Sequence, residues 1–132
     1  MITPRLLKQH KMIRTHTFIK YARLNLQDAE AALQEDDFEK MGKKCRDVAV
    51  ALFKALISFV PGVSVDIENP DEKSLRKLVA ELAPPKQAVD SIVGEMVPLL
   101  KNDKIPVSRI EAETLYSTTG ELFQVIHDLC AA

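Results

Sequence analysis

The stretch FEKMGKKCRDVAVALFKALISF, residues 38–59, decides the fold class. Phe38, Met41, Cys45, Val48, Leu52, Ala55 or Leu56, and Phe59 recur in steps of three and four, the spacing that stacks side chains on one helix face. Its second half is apolar on most sides, with only Asp47, Lys54 and Ser58 as a narrow polar stripe, which predicts a central helix contacted by several others. Asp36 or Asp37 can cap it, and Pro61-Gly62 stops it.

Upstream, a second apolar stripe begins at Met12 and runs through Ile19, Ala22, Leu26, Ala29 and Leu33. Residues 1–17 either extend this helix or form a separate basic segment. Downstream, Val63, Val65 and Ile67 alternate with polar residues, but no second segment offers a strand partner, so residues 60–70 read as an extended loop. Asn69-Pro70-Asp71-Glu72 has a capping side chain, a proline for the first helical position and acids for the positive helix end. Leu75, Leu78, Val79 and Leu82 then give a short apolar face.

Pro84-Pro85 ends that helix and opens the next, carried by Val89, Ile92, Val93, Met96, Leu99 and Leu100. Pro98 has no N–H for the carbonyl of Gly94, which predicts a kink at 94–98. Ser108 and Glu111 have the spacing of a capping box, followed by the stripe Leu115, Thr119, Leu122, Ile126 and Leu129. The 132 residues thus predict one all-α domain, an antiparallel up-and-down bundle of four to five helices.

Charge is uneven. Residues 1–27 carry Arg5, Lys8, Lys11, Arg14, Lys20 and Arg23 with no acid, so this segment is +6 while the rest of the chain is −7. Such a segment suits nucleic acid phosphates, the acidic surface of a second subunit, or plain solvent exposure. Arg5, His10, Arg14 and His16 could bind phosphate or act as acid–base groups, with a metal-independent ribonuclease as the alternative function that would use them, or could simply be surface residues.

Other chemistry finds no support. Three histidines and two cysteines lack a recurrent ligand spacing, so no metal site is expected. The four glycines are isolated, which argues against a phosphate-binding loop, and no cofactor is implied. Cys45 falls on the core stripe and Cys130 lies far from it in the sequence, so both are expected as buried free thiols. No apolar run approaches the roughly 20 residues of a membrane span, and the amino terminus lacks a signal-peptide core, giving an expectation of a cytoplasmic protein.

Several segments resemble the HEPN superfamily of small prokaryotic helical domains. Tyr21-Ala22 through Asp28-Ala29 to Leu33 looks like its first core helix, and Asp37-Phe38 looks like the following turn. The run Arg46-Asp47-Val48-Ala49-Val50-Ala51-Leu52-Phe53-Lys54-Ala55-Leu56 is similar to its Ala-rich second helix, and Ser74-Leu75-Arg76-Lys77-Leu78 resembles the opening of its third, with Lys73 where a histidine is common. Ribonucleases of this family carry an arginine followed four to six positions on by a histidine late in the domain, whereas Arg109 has no such histidine. The resemblance therefore implies a non-catalytic module that forms a homodimer and works beside a nucleotidyltransferase in toxin–antitoxin or nucleotide-sensing systems.

Overall fold

A computed structural model describes residues 4–59, 72–82, 84, 86–101 and 106–131, with side chains from 14 to 130 within these ranges, 86 apart. The described residues form five helices: α1 Pro4–Gln34, α2 Phe38–Phe59, α3 Glu72–Ala80, α4 Lys86–Lys101 and α5 Arg109–Ala131. No strand occurs among the described residues. The expected extended loop at 60–70 and the cap at Asn69-Pro70 lie outside them.

The helix pairs run in a readable register. Lys44 reaches Asp28, while Phe18, Tyr21 and Asn25 share a cleft with Val50, Ala51 and Lys54, so α1 and α2 are antiparallel. Arg109 bonds the Leu33 carbonyl, Tyr116 bonds Glu30 and Arg23 lies over Phe123, which makes α5 antiparallel to α1 as well. Groove residues 87 and 125 at one end, and 98 and 111 at the other, set α4 antiparallel to α5. Helices α1, α2, α4 and α5 thus alternate up, down, up and down, and α3 packs on α4 and α2.

α2 is the hub, touching each of the other four helices. Its whole apolar stripe from Met41 to Leu56 is buried, whereas Lys54 stays exposed and Asp47 and Ser58 are half-buried. Ile19, Ala22, Ala29 and Leu33 from α1, Leu75, Leu78 and Val79 from α3, and Leu122 and Ile126 from α5 close around it. All six apolar positions read for α4, from Val89 to Leu100, are buried. At about 1.5–3 kcal/mol for each large apolar side chain taken from water, this shared core is what overcomes chain entropy.

The ends follow local chemistry. α1 closes in a Schellman arrangement: the Asp37 amide donates to the Ala32 carbonyl at 2.9 Å and the Asp36 amide to Leu33 at 3.1 Å. Asp36 takes the left-handed conformation this needs, with φ 58°. Asp37 is then the cap of α2, its Oδ1 accepting from the Lys40 amide at 3.2 Å. Ser108 caps α5 through the Glu111 amide at 3.2 Å; the Glu111 carboxylate answers at the Val107 amide, 3.0 Å away, one position before the usual capping-box donor. α4 remains helical on both sides of Pro98.

Residues 4–17 prolong α1 rather than forming a separate arm. The register places the end of α2 opposite about residue 13 and the end of α5 opposite about residue 15, so the first ten residues of α1 run about 15 Å past both partners at 1.5 Å per residue.

Candidate interaction face

The residues singled out for acid–base chemistry or for contact with nucleic acid or a partner all lie on α1. Side chains of Arg5, Lys8, His10 and Lys11 lie outside the described residues. Arg14, His16 and Lys20 are exposed. Two positions along a helix turn about 200°, so Arg14 and His16 leave α1 on opposite sides. Arg23 is exposed as well, with its guanidinium 5.7 Å from the centre of the Phe123 ring.

His127 stacks near the same ring, with centroids 5.9 Å apart, and its Nδ1 lies 3.2 Å from the Asp128 carboxylate. That contact and a bond from Gln124 hold the Asp128 carboxyl below its usual range.

Neither thiol is a nucleophile. Cys45 is fully buried beside Met41, whose sulfur is 3.5 Å away, and burial raises its thiol pKa against the opposing effect of the Thr119 hydroxyl. Cys130 is free and half-buried, its pKa pushed up to about 11 by loss of water. Among the described residues no three His, Cys, Asp or Glu side chains converge as metal ligands. No described helix is long and apolar enough to cross a membrane.

The other side of the bundle offers a different surface. α4 and α5 diverge over a groove of about 430 Å³, lined by Gly94, Pro98, Ile110, Thr114, Leu115 and Thr118. A side chain at Gly94 would meet nothing within 4 Å, so glycine keeps the groove open rather than admitting a neighbour. Ile110 stands 77% exposed on its wall and Val107 83% exposed just before α5. At Glu95 the groove continues into a second hollow of about 350 Å³ that includes Ser91, Ile92, Glu121 and Val125.

Glu95 and Glu121 face each other there. Partial burial, and then the Glu121 charge, raise the Glu95 carboxyl above its ordinary pKa. Neither carboxylate belongs to an ion pair among the described residues. Sequence reading missed both this acidic pair and Ile110. Glu95 and Glu121 are 26 positions apart on different helices, and Ile110 looks like any residue of a first helical turn.

The class defined by this architecture is an all-α helical bundle with an apolar, acid-rimmed face. Compared with known protein families, curated proteins and solved structures, the chain finds no match in any of the three.

Proposed function

We propose that this chain is a non-catalytic interaction module of HEPN-like type that works as a homodimer in the cytoplasm. The observation that carries the reading is the α4–α5 groove, an apolar trough with Ile110 standing almost free on its wall. An exposed aliphatic side chain continuous with an apolar hollow makes the kind of surface patch that marks a protein interaction site. Several charged groups of the described residues instead form surface ion pairs, as in Arg76 with Asp90 and Glu72, or Lys43 with Glu39.

The likeness of residues 18–82 to HEPN domains adds the second part of the proposal, a nucleotidyltransferase partner in a toxin–antitoxin or nucleotide-sensing pair. Light scattering during size-exclusion chromatography at micromolar concentration tests the dimer. Twice the 14.8 kDa chain mass is expected, and a monomer overturns it. Co-expression with a nucleotidyltransferase encoded beside the gene should give a stable complex, and separate elution of the two removes that partner.

A second reading draws on the basic extension of α1, which suits nucleic acid phosphates. It requires affinity for an RNA oligonucleotide that falls steeply with salt, and flat salt dependence ends it. The ribonuclease form of this reading, through Arg5, His10, Arg14 and His16, requires cleavage that is lost in the Arg5→Ala, His10→Ala double variant.

A further inference from the structure

We infer that the basic first turns of α1 dock into the acid-rimmed α4–α5 groove of a second copy of this chain, reciprocally, so that each subunit gives one helix end and receives one. The inference rests on the homodimer reading and deepens it by naming the two surfaces.

The donor is the extension of α1. Residues 4–13 are helical and run past the ends of both α2 and α5. They hold Arg5, Lys8 and Lys11 and no acid, together with Leu6, Leu7, Met12 and Ile13. In the sequence Leu6 and Ile13 are seven positions apart, the spacing of segments that enter apolar grooves as amphipathic helices.

The acceptor has the complementary character. The trough beside Ile110 is apolar, while Glu95, Glu111 and Glu121 stand along it and the adjoining hollow. Residues 86–131 sum to −3, against +3 for residues 4–13. The Glu95–Glu121 pair is a repulsion within the monomer that an incoming ammonium or guanidinium converts to attraction. Pro98 also leaves the Gly94 carbonyl on the groove without its helical donor, an acceptor for the same cations.

Reciprocal exchange is closed. The patch pair repeats itself about a two-fold axis and consumes both surfaces on both chains, so it stops at a dimer rather than growing a fibre.

Charge exchange tests it on the full chain. The first variant carries Lys8→Glu and Lys11→Glu, the second Glu95→Lys and Glu121→Lys, each checked for helix content by circular dichroism. Light scattering in 50 mM salt is expected to show a wild-type dimer that weakens at least tenfold at 500 mM. Each variant alone should be monomeric, and an equimolar mixture should recover the dimer mass, because both contacts of the mixed pair then join opposite charges. If a double variant loses helix, Lys11→Glu and Glu121→Lys alone should give the same pattern. Dimers that persist in both variants overturn the docking and leave the homodimer reading standing. A monomeric wild type overturns both, as does a monomer that instead binds single-stranded RNA with steep salt dependence.

Discussion

Arg109 on α5 reaches across the bundle to Asp36, the one residue that takes a left-handed conformation at the α1–α2 turn. The same guanidinium donates to the Leu33 carbonyl at 3.3 Å and to Glu113 at 3.1 Å. A single side chain thus adds a second donor to a carbonyl that the Asp36 amide already engages in the last turn of α1, and fixes the start of α5. Both partners are at least half exposed, so water screens much of the attraction.

Arg109→Ala should therefore lower stability only modestly, because water screens the ion pair and the carbonyl keeps its backbone donor. Asp36→Ala should cost about 1–2 kcal/mol, since alanine resists the left-handed region, and Asp36→Gly should recover most of that. Urea denaturation of the three variants checks the order.

Glycine substitutions should split by position. A Cβ at Gly120 meets nothing within 4 Å in the middle of α5, so Gly120→Ala should stabilise by about 0.5–1 kcal/mol. At Gly42 an added Cβ would lie 3.3 Å from the rigid Pro106 ring, and the larger Gly42→Val should lower the melting temperature. Differential scanning calorimetry separates the two directions.

Glu95 predicts a pH dependence. Its folded carboxyl holds a proton more tightly than in the unfolded chain, because burial and then Glu121 disfavour its charge. Folding is favoured by this group while it is protonated, below the ordinary carboxylate range, and that contribution is lost as pH rises through the raised value. Glu95→Gln should accordingly raise the melting temperature at pH 7 and leave it little changed at pH 4. An equal gain at both values would show that the charge is not responsible.

Thiol chemistry should be slow in the native chain. Cys45 is buried and Cys130 has its pKa pushed up to about 11, so neither supplies much thiolate at pH 8. Ellman's reagent should label almost nothing before denaturation and two thiols per chain in guanidinium.

The helices were legible because each carries its own period. The α4 positions Val89 to Leu100 and the α2 stripe from Met41 to Leu56 are buried as their spacing predicts. Asp36 and Asp37 were both readable as the cap of α2, but a sequence does not show which one turns left-handed; the closing bonds of α1 put Asp36 there and leave Asp37 to cap. The sequence likewise left open whether residues 1–17 were helix or a separate segment, since Met12 is the first clear member of the stripe. The groove was illegible for another reason. Its apolar wall at Ile110 and its facing acids at Glu95 and Glu121 arise only when α4 and α5 are set side by side, and no period in either helix records its distance from the other.

The tight turn at 35–37 also orders events in time. α1 and α2 meet through a loop so short that their contacts close with almost no search, and the hairpin they form already holds a large part of the core. α5 must arrive from some 70 positions away, and Arg109 then fastens on a turn that already exists. Refolding should thus be limited by the arrival of the last helix; damage to the early hairpin turn should slow folding, whereas loss of the late Arg109 anchor should mainly speed unfolding.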